Sequence, residues 1–188
     1  LNKKPEISEL ISSIRQSSDR VQQSLGGLSE SQLNWKPAPE KWSVGECIDH
    51  LITTNKAYFP ALDRIAAGEH KNSLWQKISP LSGLWGSMLL KMVSPEYPKK
   101  AKTPAVFKPA SSSVSKNIID DFVKCNEQFT AYLQKFDGID LKKTVIASPV
   151  NSFITYSLND TIKIITYHEV RHLDQAERVT QMDGFPKQ

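Results

Sequence analysis

The first residues in this sequence whose types and spacing could do chemistry are the two imidazoles of Tyr167-His168-Glu169-Val170-Arg171-His172. On a helix, His168 and His172 lie one turn apart on one face. Their Cβ atoms are then about 5–6 Å apart, close enough to share a metal ion. Ile165, Ala176 and Val179 fall on that face too, so it points inward. A buried polar group without a partner costs about 1–3 kcal/mol, so the pair needs one. A metal is one answer, and hydrogen bonds to neighbours or water are the plainer one.

His168-Glu169-Val170-Arg171-His172 also matches H-E-x-x-H, in which two histidines bind zinc and the glutamate activates water. A peptidase of that kind takes a further ligand downstream. No histidine follows His172, and Glu177 is too near to come from a separate segment. The H-x-x-G-x-x-H extension is missing, and the chain offers little strand to edge a substrate cleft. The third ligand is better sought upstream. His70 follows Gly68 at a helix end, where exposure is expected, whereas His50 lies within a helix and can face the interior. Neutral imidazoles of His50, His168 and His172 would form a His₃ site that leaves a position for water or substrate.

The elements that must position them come from hydrophobic periodicity. Ile7, Leu10, Ile11, Ile14, Val21 and Leu25 predict a first helix near residues 5–26, ended by Gly26-Gly27. A loop stiffened by Pro37 and Pro39 and anchored by Trp35 and Trp42 leads to Ser43-Val44-Gly45-Glu46, a capping box. The second helix, about 43–68, carries His50, and Pro60 should kink or interrupt it. Residues 69–112 are the least regular part, with one short helix between Pro80 and Pro95. Ser111-Ser112-Ser113 caps a third helix at about 113–136. Residues 143–156 are extended but too short for a sheet of their own. Ser157 with Asp160 then caps the last helix, about 158–182. The economical fold is all-α: a four-helix bundle in a single domain over residues 1–188, with a long insert between helices 2 and 3.

Composition excludes more than it selects. The formal net charge of +4 is mild, and the run Lys99, Lys100, Lys102 has no aromatic interleaving, so no nucleic-acid partner is expected. The most apolar run, Leu81 to Val93, is too short to span a bilayer and contains Lys91, so no membrane is expected. Cys47 and Cys125 both fall in helical patterns and read as reduced, which fits a cytoplasmic location. The start, Leu1-Asn2-Lys3-Lys4-Pro5, shows no signal peptide, although Leu1 in place of methionine leaves a removed leader open.

Two stretches carry a resemblance. Leu33-x-Trp35-Lys36-Pro37-x-Pro39-x-Lys41-Trp42-Ser43-Val44-Gly45-Glu46-x-Ile48-x-His50-Leu51 resembles the signature of the DinB-like (YfiT-like) family of metal-dependent enzymes. His168-Glu169-x-Arg171-His172-Leu173-x-Gln175-Ala176-x-Arg178-Val179 is similar to that family's last helix. The resemblance implies a DinB-type bundle holding a divalent ion, zinc or nickel, through His50, His168 and His172. Members of known activity are often thiol-dependent, namely transferases using a low-molecular-weight thiol and an isomerase. Two departures stand out: Asp174, where relatives commonly have glycine, and the 69–112 insert, which is placed to reshape any substrate pocket.

The expected function is a metal-dependent enzyme acting on a small-molecule substrate, with a low-molecular-weight thiol as a second partner, by S-transfer or else hydrolysis. The alternative is a non-catalytic, metal-stabilised binding or stress-response module. Glu169 is the candidate proton-transfer group beside the metal or a partner that supports the ligands, with an ion pair to Arg171 or to a neighbouring helix as its other reading. Cys47, one turn before His50, reads as core ahead of a fourth ligand. Trp75, Leu81, Leu84, Trp85, Met88, Leu89 and Val93 predict that the insert is buried, against the bundle or in a homodimer contact.

Overall fold

Ile7, Leu10, Ile11, Ile14, Val21 and Leu25 form one buried stripe, and the computed structural model places them on helix α1 (Pro5–Leu25). The structure describes residues 5–78, 82–97, 103–111 and 113–187. After α1 comes a short helix that the sequence reading leaves as loop, α2 (Glu30–Asn34). Its signal is there: Gln32 N–H donates to Ser29 Oγ and Ser29 N–H donates to Gln32 Oε1, a capping box. The same device opens α3 (Val44–Ala66), as expected, through Ser43 and Glu46. Glu46 is buried, and Lys36 Nζ, 2.9 Å away, offsets its charge. The Lys36 of the loop motif thus serves the start of α3. Pro60 neither ends nor interrupts α3. It is exposed, where a carbonyl deprived of its donor can be hydrated.

α4 (Leu74–Ile78), α5 (Ser82–Val93) and a 3₁₀ turn (Ala105–Phe107) follow. The next long helix, α6 (Ile118–Lys135), begins later than the serine run predicts. The reason is competition from α3 and its neighbour. Asp49 Oδ2 accepts from Ala110 N–H at 2.6 Å and from Ser111 N–H at 3.1 Å. Val114 exchanges two hydrogen bonds, both 2.8 Å, with the Asn34 side chain. Gly45 makes room for this, since a side chain there would run into Val114. Held in this way, the chain turns helical only after Asn117.

The extended stretch does make a sheet, the antiparallel pair β1 (Val145–Ala147) and β2 (Thr155–Ser157), with Ile146 opposite Tyr156. A hairpin alone would be marginal. This one is fastened from both sides: the Tyr156 and Tyr58 hydroxyls bond at 2.9 Å, and those of Thr155 and Ser82 at 2.7 Å. The strand delivers Ser157 as the N-cap of α7 (Leu158–Thr180), accepting from Asp160 N–H at 3.0 Å.

The molecule is mainly helical. α1 and α3 each pack on both α6 and α7, α5 lies on α7 and β2, and the 3₁₀ turn lies on α3. Leu51, Leu62, Phe122, Phe129, Ile162 and Ile165 are wholly buried between the long helices, each contributing about 1.5–3 kcal/mol. The insert is less buried than expected. Trp85, Leu89 and Val93 are half-buried, whereas Trp75, Leu84 and Met88 stay exposed. α5 covers α7 with one side only and leaves its other apolar side outward. Pro80, Leu81, Lys99, Lys100, Lys102 and Ser112 lie outside the described residues. Among the described residues, no helix is long and apolar enough to cross a membrane.

Candidate metal centre

The Ser43 cap fixes where α3 begins, and the Ser157 cap fixes α7. Between them they bring His50 of α3 against His168 and His172 of α7. One ring nitrogen from each of the three lies within 4.8 Å of the others, the single such cluster of potential ligands among the described residues. His50 Nε2 and His168 Nε2 are 3.1 Å apart. Two nitrogens bound at about 2.0–2.1 Å to one tetrahedral ion lie roughly 3.4 Å apart, so the spacing suits a shared ion. The ring centroids are 4.8, 4.6 and 4.5 Å apart, with planes near perpendicular, so the rings are not stacked.

The Nδ1 atoms of His168 and His172 are sequestered from solvent without a hydrogen-bond partner. On His168 this is not the nitrogen that faces His50, so an ion at the cluster does not satisfy it. Three imidazoles are a donor set that suits zinc or nickel.

The protonation states agree. Burial pushes the His168 imidazole well below its ordinary range, helped by His172, His50 and Arg171. Burial, with His50 and Arg171, lowers His172 to about 3. In His50 burial outweighs the opposing pull of the Phe107 carbonyl and Asp49. Neutral rings are the form that binds a metal.

Two groups around the centre carry no ligand signature in the sequence. The Phe107 carbonyl accepts from His50 Nδ1–H, which leaves Nε2 free to face the other rings. Trp42 packs its indole 4.8 Å from the His50 ring and 5.8 Å from that of His172. The sequence reading takes Trp42 as a loop anchor only; its place just ahead of His50 in the motif is the one hint of more.

The remaining candidates lie elsewhere. Glu169 is wholly buried, and its carboxylate accepts from Asn55 at 2.7 Å and Asn126 at 3.3 Å, outside the histidine cluster. Burial raises its carboxyl to about 7 against the opposing effect of Asn55, Ser17 and Asn126. Cys47 is buried in the core, its thiol pushed up to about 12 by burial and Glu46, and its sulfur is not part of the cluster. His70 is half-buried and uses Nε2 on Asn72 and the Val145 carbonyl. Arg171 donates to the Ser94 and Tyr97 carbonyls, both at 2.9 Å, and so ties the end of the α5 segment to α7.

A mainly helical chain that gathers three imidazoles in one cluster could hold a metal ion there. The family profile of the DinB superfamily matches residues 13–176, a span that includes all three histidines. The chain belongs to that superfamily. It is similar to the uncharacterized protein YuaE of Bacillus subtilis (strain 168), 29% identical over 160 residues that cover 84% of this chain and 88% of YuaE. No solved structure matches.

Proposed function

We propose that this protein is a metal-dependent enzyme of DinB type, with His50, His168 and His172 as ligands of one zinc or nickel ion and a small molecule as substrate. The observation that carries the reading is the convergence of three neutral ring nitrogens within 4.8 Å. Such an ion, when bound, lowers the pKa of water or of a thiol enough to make a nucleophile near neutral pH. The chain's own residues prepare for it. The Phe107 carbonyl holds the His50 proton on Nδ1, burial keeps the other two rings unprotonated, and Trp42 packs against His50 and His172. The pairwise packing of α1, α3, α6 and α7 supports a four-helix bundle as the frame. S-transfer from a low-molecular-weight thiol is the reaction favoured by the family likeness, with hydrolysis next. Free, buried Cys47 and Cys125 favour a cytoplasmic location. The outward apolar side of α5, with Leu84 and Met88, favours a homodimer.

A second reading has its own observation. Two surface grooves have no histidine in their lining, one bounded by Ser24, Asp174, Glu177 and Gln181, the other between α1 and α6. That arrangement favours a metal-stabilised module without catalysis. Metal analysis of the purified chain, followed by a screen of thiols against small electrophiles, separates the two. Turnover that chelation abolishes and zinc or nickel restores supports the enzyme. Stoichiometric metal whose removal unfolds the chain, with no turnover, supports the module. A chain that takes up neither ion overturns both.

A further inference from the structure

We propose that Glu169 is a positioning residue for the metal centre: its carboxylate, held by side chains of the other three long helices, sets where α7 places His168 and His172 against His50. The proposal rests on the metal reading above. Asn55 of α3 donates to one carboxylate oxygen at 2.7 Å and Asn126 of α6 to the other at 3.3 Å. The network reaches α1 through Ser18, which accepts from Asn126 at 3.2 Å, and Ser17 beside it favours the ionised carboxylate. Asn55, Asn126 and Ser17 are 0, 1 and 3% exposed. One carboxylate thus joins all four long helices in a region closed to water.

Its place in the sequence is what ties it to the centre. Glu169 follows His168 directly and precedes His172 by one turn, while Asn55 sits on the helix that carries His50. α3 and α7 are therefore joined at two levels, by the histidines and by the Asn55–Glu169 bond. Ligand distances tolerate about 0.2 Å. Apolar burial is non-directional, and the stripe of α7 would find another apolar match after sliding one turn, about 5.4 Å. Packing alone therefore does not fix α7 to the tolerance the ligands need, whereas a buried, directional hydrogen-bond set does. Specifying register is the best-attested use of a buried polar group. The carboxylate is committed to these donors and lies outside the histidine cluster, so its effect on the ion goes through the helix.

The test is zinc affinity, by competition with a chromophoric chelator, on the full chain and four variants. Glu169→Leu should weaken zinc by about 10–100-fold while the helical circular dichroism persists, as loss of ligand-orienting contacts does. Glu169→Gln keeps an acceptor for Asn55 and should stay within about threefold of the parent. Val179→Ala, a core truncation further along α7, should lower the melting temperature and leave the affinity unchanged. Parental affinity in Glu169→Leu, or an equal loss in Val179→Ala, overturns the proposal. If Glu169→Leu does not fold, Asn126→Ala decides: a loss of about tenfold is expected, and parental affinity overturns it. If the parent takes up no zinc, the metal reading fails separately. The ¹⁵N imidazole resonances of His168 and His172 then serve: they should move in Glu169→Leu and Asn126→Ala but not in Glu169→Gln or Val179→Ala. Unmoved resonances in the first two overturn the positioning role.

Discussion

The centre draws on two unlike regions. From α3 and α7 come side chains on regular helices, each placed by a capped start and an apolar stripe. From the segment between α5 and α6 comes a backbone carbonyl, Phe107 O, on a short 3₁₀ turn. Among its described residues only Val114 is buried, and polar bonds hold them: Asp49 accepts from Ala110 and Ser111, Asn34 bonds Val114, and Arg171 donates to Ser94 and Tyr97. Asp49 and Arg171 are immediate sequence neighbours of the ligands His50 and His172. The helices that supply the ligands therefore also hold down the cover. A side-chain contribution announces itself by residue type, whereas a main-chain contribution has no type to read.

The largest expected effect comes from breaking the helical half. His172→Ala should abolish stoichiometric metal and leave the fold, because the core is drawn from four long helices and loses a single half-buried ring. The cost in stability of the metal-free chain should lie within about 0.5–3 kcal/mol, as for most single substitutions. Metal content and circular dichroism together check it. Full metal retention would remove His172 from the centre, and outright unfolding would make the ion structural.

Breaking the irregular half should cost less. Asp49→Ala removes the acceptor for Ala110 and Ser111 and frees the turn that carries Phe107. A loss of about tenfold in zinc affinity is expected, the lower end for groups that orient a ligand. Asp49→Asn retains an acceptor oxygen and should recover most of it. Equal affinity in parent and Asp49→Ala would mean that the cover contributes nothing to the ion.

The same contrast explains what was legible. The i,i+4 histidines, the capping box at Ser43, the N-cap at Ser157 and the apolar stripes are local signals, and the long helices end within a few residues of where they predict. The start of α6 was not legible. Ser111 to Ser113 are good capping residues, but Asp49 and Asn34, far away in sequence, claim the neighbouring backbone first. α2 was missed although Ser29 and Gln32 signal it, because the two-proline loop beyond drew the reading toward irregular structure. β1 and β2 were discounted as a sheet because their support, Tyr58 and Ser82, comes from other elements. For Glu169, sequence offers proton transfer, support of the ligands or an ion pair, and nothing local indicates that Asn55 and Asn126 converge on it.

Cys47→Ala sharpens the helical half from the opposite side. Its thiol, raised to about 12 by burial, is not a thiolate at neutral pH, and its sulfur stands outside the cluster. The variant should keep metal at parental affinity and lose on the order of 1 kcal/mol from the truncated core, read as a small fall in melting temperature. Any loss of metal would bring Cys47 into the centre after all.

The smallest effect belongs to the ion pairs of Arg20 with Asp174 and Glu177. Arg20 of α1 reaches Asp174 at 2.7 Å and Glu177 at 2.8 and 2.5 Å, so the two carboxylates tie α7 to α1. All three side chains are about one-third exposed, at 34, 33 and 32%, which holds the network to the value of a surface ion pair, about 0–1 kcal/mol. The Arg20 guanidinium lowers the Glu177 carboxyl below its ordinary 4.5, against a smaller opposing effect of burial. The unfolded chain therefore binds the proton first as pH falls. The stabilisation is complete above the ordinary carboxylate value and is lost as pH drops through the lowered one. Arg20→Ala should thus be slightly less stable than the parent at pH 7, with the gap closing in acid and shrinking in high salt. Urea unfolding of both proteins across that range measures it. A gap that is indifferent to pH and salt would mean that the aliphatic stem of Arg20, packed between α1 and α7, matters more than its charge.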